Sequence, residues 1–137
     1  MVTPPNSPKV AEFLSALKAW AASRADIVAV ALVGSHARGQ ATPESDVDIV
    51  LLTMRPEDYL EDRRWLDRFG RVLRQQPEDW GRVTALRTWY QDGLEVEFGI
   101  TTPDWAEAPL DEGTRQVVEA GFAPVFDRKG ILRTLKS

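Results

Sequence analysis

Two pairs of acids stand where strands would carry them. Asp46 and Asp48 flank a valine at the mouth of the apolar run "VDIVLL", and Glu95 and Glu97 alternate with Leu94, Val96 and Phe98 in "LEVEFGI". Side chains at i and i+2 of a strand project from one face, so each pair shares a face and its apolar neighbours share the other. Aspartate is a poor strand former and costly to bury, so acids in these places need a compensating partner. If the two strands are neighbours, three or four carboxylates converge. Two like charges about 4 to 5 Å apart repel by roughly 3 to 4 kcal/mol at an effective dielectric of about 20. Retained protons, an arginine partner or a shared divalent cation would each offset that repulsion. Few basic residues flank these acids along the chain, which favours the cation, and magnesium suits a small set of hard oxygen ligands completed by water and phosphate.

Gly34-Ser35 supplies a second half. It closes the apolar run "IVAVALV", Ile27 to Val33. A glycine lets backbone approach a ligand closely, and a turn into a helix leaves free amides and a serine hydroxyl facing any phosphate placed there. A triphosphate held by Gly34 and Ser35, beside magnesium on Asp46 and Asp48, is set for in-line attack on its α-phosphorus, with a third carboxylate as ligand or general base. Arg38 either steers a phosphate or anchors the loop through a carboxylate. Ser45 is a candidate nucleotide contact, although Ser45 and Asp46 alone would read as a capped turn. The joint occurrence of Gly-Ser, the aspartates and a downstream acidic strand favours a metal site. His36, the one histidine, is expected to be exposed or hydrogen-bonded and receives no catalytic role.

These residues need strands and helices to position them. Ser7-Pro8 reads as an N-cap and first-turn proline, opening an amphipathic helix through Ala22 on Val10, Phe13, Leu14, Leu17 and Trp20. Ile27–Val33 suits a strand covered on both faces, and Asp46–Leu52 a second strand. Pro56 opens a segment in which Tyr59, Leu60, Leu66, Phe69 and Leu73 keep rough helical phase, predicting a second long helix. "RVTALRTWY" and "LEVEFGI" form a hairpin about Gln91-Asp92-Gly93. "LDEGTRQVVEAG" reads as a short helix ended at Gly121, "FAPVF" as a strand and "ILRTLKS" as a terminal helical turn. Strands separated by helices, one hairpin included, indicate a mixed α/β (α+β) fold. Trp20, Trp65 and Trp80 are expected in core packing, and the basic tail of Arg128, Lys129, Arg133 and Lys136 as a solvated helix end.

Composition narrows the chemistry. The chain has 137 residues, no cysteine and a net charge of -4. Disulfides, thiolate zinc sites and cysteine nucleophiles are excluded. The acidic balance argues against general nucleic-acid binding, which needs a clustered basic face. No signal segment and no long apolar window is present, so the expected compartment is the cytoplasm and no membrane is expected as a partner. "GSHARG" lacks the lysine and spacing of a P-loop and does not match the hydrolase nucleophile turn.

"GSHARGQATPESDVD" is similar to the Gly-Ser, ten residues, Asp-x-Asp signature of the DNA polymerase beta-like nucleotidyltransferase superfamily. The resemblance extends over about Ile27 to Leu132, although the signature carries its specificity. It implies a single nucleotidyltransferase domain over 1–137, with a mixed sheet and helices packed mainly on one face. It implies Mg2+-dependent transfer of a nucleoside monophosphate, commonly AMP from ATP, to a hydroxyl of an acceptor that the sequence does not name. Two ions are expected, with Mn2+ as a substitute. Gly34, Ser35, Arg38 and Ser45 would face the nucleotide, and Asp46 and Asp48 would bind metal. Glu95 and Glu97 both fit the place of the third acid. Small members of the superfamily also imply an alternative, an antitoxin-like or nucleotide-binding interaction protein paired with a separately encoded helical partner.

Overall fold

The computed structural model describes residues 8–42 and 45–135, and the N-cap expected at Ser7 and the tail residue Lys136 lie outside them. The described chain begins with α1 (Pro8–Ala22), followed by β1 (Ile27–Val33), the single turn α2 (Gly34–Ala37) and β2 (Val47–Thr53). Next come α3 (Pro56–Glu61), a 3-10 turn at Arg64–Phe69, and the consecutive strands β3 (Val72–Asp79), β4 (Thr84–Tyr90) and β5 (Glu95–Thr101). A 3-10 turn at Pro103–Ala106, α4 (Glu112–Ala120), β6 (Ala123–Asp127) and a last 3-10 turn at Ile131–Thr134 complete it.

The six strands form one mixed sheet in the order β3-β4-β5-β2-β1-β6. β2 and β5 run parallel, and every other neighbouring pair is antiparallel. The run Ile27–Val33 is buried at all seven positions, as a strand with apolar cover on both faces must be. On one face Val10, Phe13, Leu17 and Trp20 of α1 join Val30, Leu32, Ile49, Leu51, Phe98 and Ile100 in the larger core. Trp20 stacks on Trp65, ring centroids 5.1 Å apart. The opposite face carries a smaller cluster, in which Ala29, Ala31, Val33, Val50 and Leu52 meet Trp105, Val118 and Leu132. Alanines in β1 leave depth for the indole there. The α4 cover reaches only this half of the sheet, and the other half holds the acids.

Three expectations are corrected. The second long helix is absent: α3 ends at Glu61, one 3-10 turn follows, and β3 begins at Val72. Tyr59, Leu66 and Phe69 still reach the larger core, because two successive single turns preserve helical phase without a continuous helix. Gly70 then adopts φ 146°, which ends helical geometry. Leu73 lies exposed on the edge strand, where Pro77 is tolerated because its missing N–H faces no neighbour. Trp80 is not core: it stands exposed in the β3–β4 turn. Arg128 is not merely solvated, since its guanidinium donates to the carbonyls of Ala21 at 3.3 Å, Arg24 at 2.9 Å and Ile27 at 3.1 Å. It thereby ties the C-terminal end of α1 to the turn at Arg24 and the start of β1.

Candidate active site

One row across the sheet assembles the site. Val33 pairs with Asp48 in the β1–β2 ladder, Asp48 with Glu97 in β2–β5, and Glu97 with Arg87 in β4–β5. Registered partners in adjacent strands point to the same face, so Asp48, Glu97 and Arg87 stand side by side. Asp46 lies just before β2 and Glu95 two positions along β5, and both share that face by the period of two.

Gly34 begins α2 at φ 77°, a left-handed conformation that glycine alone adopts without strain. Its packing is as restrictive, for a Cβ built there would collide with Oδ2 of Asp48. The glycine after β1 therefore seats the aspartate carboxylate and leaves backbone beside it. Ser35 follows in the same turn, and Arg38 closes the turn with its N–H on the Gly34 carbonyl at 3.2 Å. The Arg38 side chain is exposed and donates to Gln40 at 3.4 Å, and it forms no carboxylate anchor among the described residues. Ser45 Oγ accepts the Thr42 N–H at 2.9 Å, the bond of a capped turn. His36 departs from expectation: it is buried, and neither ring nitrogen has a hydrogen-bond partner among the described residues.

Asp46, Asp48 and Glu97 each offer one oxygen, and the three atoms lie within 4.8 Å of one another. This set fits a divalent ion: three hard anionic donors from two strands, with Gly34 leaving space against one of them. Glu95 falls outside the group and accepts from Arg87 Nη1 at 2.7 Å. Burial, followed by the charges of Asp46 and Glu97, pushes Asp48 up to about 7. Burial and a hydrogen bond to Glu78 push Glu97 up to about 7 as well.

Arg87 corrects the expectation that the acids have few basic neighbours. Its guanidinium reaches Asp46 at 2.9 Å, Glu78 at 3.0 Å, Glu95 at 2.7 Å and Glu97 at 3.2 Å. Those four carboxylates hold it charged well above the usual arginine range, the hydrogen bond to Glu78 contributing most. Trp80 Nε1 donates to the second oxygen of Glu97 at 3.2 Å. Sequence reasoning missed both residues. Arg87 had a signal, because a three-residue loop at Gln91-Asp92-Gly93 pairs Tyr90 with Leu94 and so Arg87 with Glu97. Trp80 had none, and with Trp20 and Trp65 it was expected in core packing.

A cleft of about 630 Å³ opens beside these acids toward α4, bounded by Gly34, Arg38, Asp48, Trp80, Arg82 and Glu97 among others. A second, more polar cleft of about 840 Å³ lies around Trp20, Arg24, Asp26 and Tyr59 on the far side of the molecule's larger core, and holds none of the sequence-predicted residues. No helix among the described residues is long and apolar enough to cross a membrane.

Comparison with known proteins bears on the fold and on the family. No curated protein sequence matches the chain. Its fold is similar to that of an aminoglycoside 6-adenyltransferase from Bacillus subtilis, with TM-score 0.55 and 17% identity over 74% of this chain and 37% of that one. It is also similar to the Cid1 poly(U) polymerase, with TM-score 0.54 and 12% identity over 87% of this chain and 35% of that one. The chain thus spans little more than a third of the length of these structures. A family model described as streptomycin adenylyltransferase matches residues 9–108. That match takes in the Gly34 turn, both aspartates and the β4–β5 hairpin, and by it the chain belongs to the streptomycin adenylyltransferase family within the nucleotidyltransferase superfamily.

Proposed function

We propose that this chain transfers AMP from ATP to a hydroxyl of a cationic small molecule, with Asp46, Asp48 and Glu97 holding Mg2+ or, in its place, Mn2+. The carrying observation is the three-carboxylate group seated against Gly34. Divalent ions bound there would neutralise charge on the triphosphate and on the acceptor oxygen. The Gly34-Ser35 turn offers backbone amides and a hydroxyl to the phosphates, and Arg38 stands exposed at the cleft for the same anion. In the reaction the acceptor oxygen forms a bond to the α-phosphorus while the bond from that phosphorus to the oxygen bridging toward the β-phosphate breaks, releasing pyrophosphate. The acceptor's hydroxyl proton must leave, and a divalent ion held by these carboxylates would make that hydroxyl more acidic, with solvent or a carboxylate oxygen not engaged by the ion to receive the proton.

The rim favours a cationic acceptor. Asp46, Glu78, Glu95 and Glu97 surround a single arginine, a surface that attracts amines or guanidines and repels polyanions. Streptomycin, the compound in the family's description, is therefore the first acceptor to test. Incubation of the protein with α-labelled ATP, Mg2+ and streptomycin, other amine-bearing small molecules, RNA or cell lysate locates the label. Label on a cationic small molecule, lost in Asp48→Asn, supports the reading. Label on RNA or on a second protein, or equal turnover by Asp48→Asn, sinks it.

A further inference from the structure

We propose that Arg87 is the positioning residue of the cation site, holding Asp46 and Glu97 within reach of Asp48; this rests on the reading of that triad as a divalent-ion site. The guanidinium has two kinds of partner. Glu78 on β3 takes Nε at 3.0 Å and Glu95 on β5 takes Nη1 at 2.7 Å, and neither belongs to the triad. They anchor the planar fork from two strands. The same fork reaches one oxygen of Asp46 through Nη1 at 2.9 Å and one oxygen of Glu97 through Nη2 at 3.2 Å. Asp46 has no ladder partner to fix it, as it precedes the first paired residue of β2. A rigid donor therefore sets its carboxylate, and mutual repulsion among the acids is offset on the side away from Asp48.

Two accounts of Arg87 differ in the sign of their consequence. An arginine that merely stands in for the cation opposes metal binding, so its removal tightens binding. An arginine that positions the ligands does the reverse. Its anchorage on two acids outside the triad, Glu95 bonded to the arginine and Glu78 bonded to both the arginine and Glu97, favours positioning, because those two acids already balance its charge and let it stay when a cation enters. Lysine would not substitute, since one ammonium lacks the planar fork that meets four carboxylates at once.

The test is Mn2+ binding read from the free-ion paramagnetic resonance signal, with thermal melting of the metal-free protein measured alongside. Wild type and Asp48→Asn come first: binding by wild type that Asp48→Asn abolishes establishes the site without reference to Arg87. Failure of that comparison overturns the site reading, and this inference with it. With the site established, Arg87→Met and Arg87→Lys are expected to weaken Mn2+ binding by about 10-fold or more, the usual scale for residues that orient metal ligands. Glu95→Gln, which loosens the anchor bonded to Arg87 alone among the described residues, is expected to weaken it by roughly threefold, below that same scale. Unchanged or tighter binding in Arg87→Met overturns the positioning role while leaving the site intact. Should Arg87→Met fail to fold, Glu95→Gln decides, with weaker binding in support and wild-type binding against.

Discussion

Asp48 and Glu97 face one another across the parallel β2–β5 pair, two acids on adjacent strands joined by no hydrophobic or cationic spacer. Each is pushed up to about 7, chiefly by burial. A folded state that keeps protons its unfolded chain would release loses stability as pH rises from the unfolded values, near 3.8 and 4.5, through the folded ones. Metal-free protein should therefore have a higher melting temperature at pH 5 than at pH 8, with little change from these two groups above that. Saturating Mn2+ should remove that decline. A melting temperature that rises between pH 5 and 8 without metal would contradict the assignment.

Asp48→Asn separates function from stability. It removes a charge that Asp46 and Glu97 oppose, so the metal-free variant at pH 8 should gain about 1 kcal/mol in urea unfolding, less than the unscreened repulsion because the site is partly solvated. The same variant should show nucleotidyl transfer at background level. Stabilisation with loss of turnover is the signature of an acid retained for chemistry.

Gly34→Ala should damage both properties. The left-handed backbone costs a side-chain-bearing residue about 1 to 2 kcal/mol, and the new Cβ meets Oδ2 of Asp48. A shifted Asp48 should weaken Mn2+ binding along with the fold. Gly39, also at positive φ but with open space around it, provides the control: Gly39→Ala should lose only the backbone term and leave Mn2+ binding unchanged.

Tyr59→Phe probes the opposite end of the molecule. The Tyr59 hydroxyl donates to Asp26 at 2.6 Å, and Thr53 donates to the same carboxylate at 2.8 Å. Loss of the phenol should cost about 1.5 to 3 kcal/mol, the range for hydrogen bonds to charged groups, measured by urea unfolding. Turnover and Mn2+ affinity under folded conditions should not change, because that cleft contains none of the triad.

Most of the fold was legible where one local pattern had one outcome. Ile27–Val33 is continuously apolar and is buried at every position. Asp92-Gly93 turns the β4–β5 hairpin, and Gly121 ends α4, as their backbone preferences require. The stretch from Pro56 to Asp79 was not legible, because apolar residues in helical phase describe two short turns as well as one helix. Only the edge pairing of β3 with β4 decides between them.

The candidate site divides in the same way. Residue types and alternation along single strands put Asp46 with Asp48 and Glu95 with Glu97, and marked Gly34 as a place where backbone comes close. Those are properties of a chain segment, set by a period of two and by the absence of a side chain. Which glutamate completes the group was a matter of register between β2 and β5, strands separated by more than forty residues, and alternation assigns both glutamates to the same face. The pairing of Asp48 with Glu97, and of Glu97 with Arg87, resolved it. Local sequence sets which face a side chain takes and, through the three-residue turn, the pairing of Arg87 with Glu97, whereas the offset between β2 and β5 is fixed by the packing of the whole sheet, and so the meeting of Asp46 and Asp48 with that pair became visible only in the folded molecule.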